Sequence, residues 1–196
     1  MNPESALPTR RLGPGTSLMQ AQPWQTDPVT WQSPALAVMT DLTQVKAATT
    51  SPATSLRQAE QIMIYQGVRM LFVVTDMPSV EGLITTTDLR GDRQMRIVHE
   101  RHARYDDLCV ADVMTPLSML EAIDHDLMRT ASVRNVVATL KAFGRNHLLV
   151  VEGSAAAAPG RVRGVISRAQ IERQLGAVID ITEIASSFAD IERLLS

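Results

Sequence analysis

The sequence predicts an α/β protein built from two copies of one β-α-β-β-α unit. The main observation is an internal repeat, in which "SLRQAEQIMIYQGVRMLFVV" (55–74) aligns with "SVRNVVATLKAFGRNHLLVV" (132–151) at a constant offset of 77 residues (132 minus 55). In both copies a pattern of helical spacing is followed by a short, continuous apolar run. A unit of roughly 60–70 residues is marginally stable alone, so we expect the two copies to pack together.

Each copy contains one long helix with clear start and stop signals. Ser55 and Ser132 are the predicted N-caps, and Gly67 and Gly144 mark the predicted ends. Between these residues the apolar side chains recur at helical spacing, which predicts one buried face. The apolar positions are Leu56, Ala59, Ile62 and Met63 in the first copy and Val133, Val136, Val137 and Leu140 in the second.

Three strands are predicted around each helix. The runs "MLFVV" and "HLLVV" are typical of strands that are buried on both faces. "EGLITT" and "RGVISR" follow as second strands, and the longer Ala/Gly/Ser/Pro segment before "RGVISR" predicts a longer hairpin loop there. Upstream of the helices, "VMTDL" (38–42) and "VMTPL" (113–117) match each other as leading strands.

These patterns divide the chain into five segments. They are a Pro-rich N-terminal arm (1–34), repeat 1 (35–92), a basic linker helix (93–108), repeat 2 (109–178) and a C-terminal amphipathic helix (179–196). The arm holds six of the ten prolines, which resist helix formation, so we expect it to be extended or disordered. Its tryptophans, Trp24 and Trp31, either pack the arm onto its own domain or dock a partner.

Composition restricts the classes of function. Charged residues make up 20% of the chain and the formal net charge is −2, which gives no general attraction to nucleic acid or anionic membranes. The single cysteine, Cys109, favours a reducing compartment. No apolar run reaches the roughly 18 residues of a membrane span, and the start of the chain does not resemble a signal peptide. We therefore expect a cytoplasmic protein.

The stretch "GLITTTDL" changes from strand to helix and leaves Thr85 and Asp88 at the junction. Thr85-x-x-Asp88 is a capping box, so helix capping alone accounts for both residues. Alternatively, the hydroxyl and the carboxylate hold a ligand. The second copy has Ser167-x-x-Gln170 at this point, which also fits a capping box but offers no carboxylate.

The order of these elements, with "VMT" before each copy and G-h-h-[TS]-x-x-D-h after the buried strand, resembles the cystathionine β-synthase (CBS) domain. Two copies in tandem resemble a CBS pair, or Bateman module, over about residues 36–178. The resemblance implies two CBS repeats packed sheet against sheet about a pseudo-twofold axis. It also implies two clefts between the repeats, which in this family bind adenine nucleotides or other adenosyl compounds.

The resemblance also implies which residues contact the ligand. Thr85 and Asp88 match the family's hydroxyl and aspartate, which contact ribose and phosphate. A carboxylate has two acceptor oxygens for the two hydroxyls of a vicinal diol. The residues just before each buried strand correspond to cleft-facing positions, namely Arg69 and Met70 in repeat 1 and Asn146 and His147 in repeat 2. Of these, Arg69 and His147 either reach phosphate oxygens or are ordinary exposed residues.

The resulting hypothesis is a non-catalytic regulatory module that binds AMP, ADP, ATP or a similar adenosyl ligand in the cleft of Thr85 and Asp88. We expect no cofactor, no metal site and no enzyme activity, because no catalytic motif is present and His99-x-x-His102 would need Cys109 or Asp106, from a different element, to complete a metal site. The expected partners are a second copy of the chain and an unidentified regulated protein. The alternative is a scaffold or dimerisation module that binds no small molecule.

Overall fold

The computed structural model describes residues 28–102, 104–153 and 160–181. The strands in these ranges are β1 (Met39–Asp41), β2 (Thr49–Thr50), β3 (Met70–Val73), β4 (Gly82–Thr85), β5 (Thr115–Pro116), β6 (Ala122–Asp124), β7 (His147–Glu152) and β8 (Arg161–Ser167). The helices are α1 (Leu56–Gln66), α2 (Thr86–Arg90), α3 (Arg93–Arg101), α4 (Val110–Val113), α5 (His125–Thr130), α6 (Val133–Ala142) and α7 (Arg168–Leu175). The predicted mixed α/β class is confirmed.

The two long helices begin and end where the sequence predicts. At the start of α1 the Ser55 hydroxyl accepts a hydrogen bond from the Gln58 amide at 3.3 Å. The helix ends at Gly67, whose φ of 66° is in the left-handed region that glycine tolerates best. The Ser132 amide at the start of α6 donates to Asn135 Oδ1 at 3.0 Å, and the chain leaves this helix through Gly144.

The strands form two four-stranded sheets, in which the copies exchange their leading strands. The order is β1-β8-β7-β6 in one sheet and β2-β3-β4-β5 in the other. Strand β1, which precedes the first copy, pairs with β8 of the second copy, and β5 pairs with β4 of the first copy. Each sheet is therefore completed by a strand that the sequence pattern assigns to the other repeat.

The glycine that opens each "G-h-h" motif makes room for the exchanged strand. A Cβ atom on Gly82 would lie 2.4 Å from the carbonyl oxygen of Thr115 in β5. On Gly164 it would lie 2.5 Å from the Met39 sulfur and 3.0 Å from the Thr40 carbonyl oxygen, both in β1. A larger residue at Gly82 would therefore push the backbone of β5 away, whereas at Gly164 it would first displace the flexible Met39 side chain.

The apolar core has a central layer with one cluster on each side. The central cluster joins Met70, Phe72 and Leu83 of the first copy to Leu149 and Val165 of the second. The copies therefore pack sheet against sheet, as the resemblance implies. The outer clusters bury the apolar faces of α1 and α6 against their own sheets.

The part of the N-terminal arm that the structure describes, residues 28–34, packs on the second copy. Its carbonyl groups at Trp31 and Ser33 accept hydrogen bonds from the first amides of α6 (3.0 and 2.9 Å), and Val29 is buried in the core. Trp31 packs against the same core cluster, which confirms the interpretation that this ring holds the arm to its own domain. Trp24 and the C-terminal helix from residue 182 onward lie outside the described residues.

Candidate ligand-binding cleft

A cleft of about 810 Å³, counting the space open to solvent, lies between the two copies. One wall comes from the end of β4 and the start of α2, and the facing wall from residues 144–149 at the start of β7. The segment after β5 contributes residues 119–121. The cleft is therefore a concave surface that is open to solvent on one side.

Thr85 and Asp88 form a complete capping box at the first wall. Asp88 Oδ2 accepts hydrogen bonds from the Thr85 amide (2.8 Å) and from the Thr85 hydroxyl (2.7 Å). The Asp88 amide donates in return to Thr85 Oγ1 at 3.4 Å. The capping role of this pair is therefore confirmed, and it explains why the strand passes directly into a helix at this point.

The cap leaves half of the Asp88 carboxylate available. Within the described residues no hydrogen bond uses its Oδ1 atom, and the residue lines the cleft. Burial raises the pKa of Asp88, against the opposing effects of the Thr85 hydrogen bonds and the charges of Arg93 and Arg145. The carboxylate is thus partly removed from water, where a hydrogen bond to it from a ligand is stronger than in solvent.

The facing wall brings Arg145, Asn146 and His147 into the cleft. Burial lowers the pKa of His147 to about 4, and the positive charge of Arg69 acts in the same direction. The imidazole is therefore neutral near pH 7, where it can donate one hydrogen bond and accept another but carries no positive charge. Arg145 supplies the positive charge on this wall.

The structure brings three of the four predicted site residues together. Thr85, Asp88 and His147 line the same cleft, whereas Arg69 is not among the described residues that line it. The Arg69 backbone carbonyl accepts a hydrogen bond from the Thr86 amide at 3.0 Å, and its charge acts on His147 and on Glu172 of α7. Arg69 thus lies between the cleft and the second strand-helix junction.

Comparison with known proteins identifies the fold. Residues 37–92 match the model of the CBS domain. A conserved protein of Pyrococcus horikoshii, described as uncharacterized, has a similar structure, with 19% identity, a TM-score of 0.54 and coverage of 79% of this chain and 100% of that one. CBSX2, a CBS-pair protein of Arabidopsis thaliana solved in complex with AMP, has 18% identity, a TM-score of 0.50 and coverage of 72% and 94%.

Residues 37–92 match the CBS domain model, and the chain shares its overall fold with the CBS-pair protein CBSX2. No curated protein gave a significant match to the sequence.

At the second strand-helix junction, Ser167 to Gln170, the predicted capping box is wrong. The Ser167 side chain makes no capping hydrogen bond, and Gln170 Oε1 instead accepts from the Thr40 hydroxyl at 2.8 Å. The physical reason is the strand exchange, which places Thr40 of β1 beside α7 within reach of the long glutamine side chain. Close by, Arg168 pairs with Glu172 at 3.0 Å, and the Ile179 amide donates to the same Glu172 oxygen at 2.9 Å.

Two charged residues of the cleft were missed by the sequence analysis. Arg145 precedes the positions that the repeat marks, and its counterpart in the first copy is the apolar Val68, so the repeat carries no signal for it. Glu121 reaches the cleft through the segment that follows the exchanged strand β5. Only knowledge of that exchange could have placed Glu121 beside Asp88.

The described residues hold neither a metal cluster nor a membrane-spanning helix. In that part, no group of three or more His, Cys, Asp and Glu side chains is placed to hold a metal ion. None of the helices described there is long and apolar enough to cross a membrane.

Proposed function

We propose that this CBS pair is a non-catalytic regulatory module that binds an adenosine-containing ligand, such as AMP, ADP or ATP, in the cleft of Thr85 and Asp88. One observation carries the proposal, namely that Asp88 Oδ1 is available in a partly dehydrated position while Oδ2 is held by the helix cap. The fold that the chain shares with CBSX2, which was solved with AMP, supports the same ligand class.

Each part of such a ligand has a suitable group in the cleft. The ribose diol donates to Asp88 Oδ1, which forms a charge-assisted hydrogen bond. The adenine ring packs among the apolar side chains Leu83, Leu120 and Leu149. A phosphate group pairs with Arg145, and the neutral His147 contributes one hydrogen bond.

We expect one such site per chain. At the second junction Gln170 is held by Thr40, and Arg168 and Glu172 bind each other. A ligand there would have to displace these hydrogen bonds, and it would meet the neutral Gln170 at the position where the first junction has the Asp88 carboxylate. Binding at that junction should be weak or absent.

The module is proposed to act as a homodimer in the cytoplasm and to signal to an unidentified regulated protein. The outer face of α1 supports a protein contact, because Ile64 and Tyr65 are 73% and 93% exposed. The equivalent positions of α6 are Lys141 and Ala142, which present no comparable apolar surface. Light scattering that reports only the 21.5 kDa chain mass at every concentration would contradict the dimer.

The second candidate function is a scaffold that binds no small molecule. The completeness of the capping box favours it, because the cap alone gives both Thr85 and Asp88 a structural role. In that case the regulatory output depends only on protein contacts.

Titration calorimetry of the full-length protein separates the two functions. The chain is titrated with adenosine, AMP, ADP, ATP and S-adenosylmethionine under identical conditions. The proposal expects saturable binding of at least one of them with one site per chain. Failure of all five to bind would leave Asp88 as a helix cap and would support the scaffold.

A further inference from the structure

The charged residues of the cleft indicate which adenosyl ligands it accepts, if the proposed function is correct. Four titratable side chains line the described part of the cleft, namely Asp88, Glu121, Arg145 and His147. Two of them are acidic, one is an arginine, and the histidine is neutral near pH 7. The lining therefore carries more negative than positive charge.

Two further arginines lie near the cleft but do not line it. The charge of Arg93 acts on Asp88 from the exposed side of α3, and that of Arg69 acts on His147 and Glu172. Arg93 therefore offsets the charge of Asp88, and Arg69 that of Glu172, which belongs to the second junction. Within the cleft, Arg145 faces the ligand together with the exposed carboxylate of Glu121.

We propose that Glu121 is a specificity-determining residue, which makes the cleft select adenosyl compounds with no more than one phosphate over ADP and ATP. Glu121 lines the same cleft as Arg145. Salt screens a charge over about 8 Å at physiological ionic strength, so the charge of Glu121 acts within the cleft. Every phosphate in the cleft is therefore repelled by Glu121.

Arg145 offsets the charge of one phosphate group but not of a chain of them. A phosphate monoester carries a charge of roughly −1.5 to −2 near pH 7, and each further phosphate adds about one more negative charge. The added charge has no second arginine among the described lining residues to pair with. Glu121 thus acts by repulsion, which is a common source of specificity between similar ligands.

The test is calorimetric titration of adenosine, AMP, ADP and ATP without Mg²⁺ at moderate salt. We expect ATP to bind at least tenfold more weakly than AMP. Glu121→Gln should reduce the ratio of the ATP Kd to the AMP Kd at least threefold, mainly because ATP binds more tightly. Glu100→Gln is the matched control, since it makes the same change of net charge at an exposed position of α3 outside the cleft lining, and it should leave the ratio unchanged.

Added Mg²⁺ gives an independent measurement, because it neutralises part of the polyphosphate charge. In the unmodified protein, the ratio of the ATP Kd to the AMP Kd should then decrease. ATP binding as tightly as AMP without Mg²⁺, or a ratio that Glu121→Gln does not change, overturns the role of Glu121 but leaves the proposed function standing. If none of the adenosyl compounds binds, both proposals are wrong.

Discussion

The two strand-helix junctions occupy equivalent positions in the repeats but differ in what they leave available. At the first, Asp88 lines the cleft and caps its own helix with Oδ2, while Oδ1 makes no hydrogen bond within the described residues. At the second, Gln170 is one methylene longer and carries no charge, and it turns away to bind Thr40 of the exchanged strand. The same motif position can therefore be available to a ligand or occupied by a structural hydrogen bond, depending on which residues of the neighbouring strand lie within its reach.

The exchanged strands differ between the junctions in the same way. Strand β5 and the residues after it extend the first cleft, to which they contribute Thr115 and Glu121. Strand β1 instead brings Thr40 into hydrogen-bonding distance of α7. The comparison can be tested by changes at equivalent positions, and the first of these concerns the two glycines that admit the exchanged strands.

The largest effect is expected at Gly82. Gly82→Ala places a methyl group 2.4 Å from a backbone oxygen of β5, which cannot move without breaking strand pairing. Overpacking of this kind should lower the free energy of unfolding by about 3 kcal/mol. Gly164→Ala is the matched variant, and because the flexible Met39 side chain is the nearest group there, we expect about 1 kcal/mol. Urea denaturation measures both.

Equal losses for the two glycine variants would contradict this account. They would show that both strands are equally free to move, or that neither glycine is needed for the close approach.

The starts of the two buried strands also differ, because His147 of the second copy aligns with Met70 of the first in the sequence repeat. Burial lowers the pKa of His147 to about 4, below its ordinary value of 6.5 in the unfolded chain. The unfolded state therefore binds a proton first as the pH falls, and the stability present above pH 6.5 is lost between pH 6.5 and 4. Between pH 7 and 5 this loss amounts to up to about 2 kcal/mol.

His147→Met gives the second strand the residue that the first strand carries at this position, and should remove that part of the pH dependence. The measurement is urea denaturation of both proteins at pH 7 and pH 5. A pH dependence that is identical in the variant would show that other groups cause it.

The next prediction concerns the carboxylate itself. Asp88→Asn should weaken binding of the best adenosyl ligand by tenfold or more, because a hydrogen bond to a charged group contributes about 1.5–3 kcal/mol. The matched control is Asp112→Asn in α4, where Asp112 Oδ2 accepts from the Cys109 amide at 2.9 Å in the same type of cap. Asp112 is not among the described residues that line the cleft. Because Asp112→Asn also removes the ion pair of Asp112 Oδ1 with Arg101 (2.5 Å), the control should lose about 1–2 kcal/mol of stability and no affinity.

If Asp88→Asn lowers the stability but, like the control, does not change the affinity measured by calorimetry, Asp88 is only a cap.

Much of the fold could be predicted because its signals are local. Ser55, Gly67 and the apolar spacing between them specify α1 without reference to any distant residue. The pair Thr85 and Asp88 was likewise recognisable as a cap from its spacing alone, and the structure confirms it. Periodicity and capping motifs are local signals, and they predict a segment correctly where its structure depends only on residues within that segment.

The features that were missed depend on contacts between distant parts of the chain. The strand exchange cannot be read from "VMTDL" and "VMTPL", because either sheet satisfies the backbone hydrogen bonds of a short strand. The wrong prediction for Gln170 and the missed Glu121 both follow from that exchange. Arg69 was placed in the cleft by the family resemblance, but it is not among the described lining residues, and its charge acts on both His147 and Glu172.

The smallest effect is expected for Gln170→Asp, which gives the second junction the residue type of the first. The shorter side chain should lose the 2.8 Å hydrogen bond from Thr40, at a cost of about 1 kcal/mol. It should also accept from the Ser167 amide as Asp88 does from Thr85, and a new cap contributes about the same amount. The free energy of unfolding should therefore change by less than about 0.5 kcal/mol, whereas Gln170→Ala, which can make neither contact, should lose about 1 kcal/mol. Urea denaturation measures the stability of both variants. An equal loss in both would show that the side chain at position 170 does not cause the difference between the two junctions.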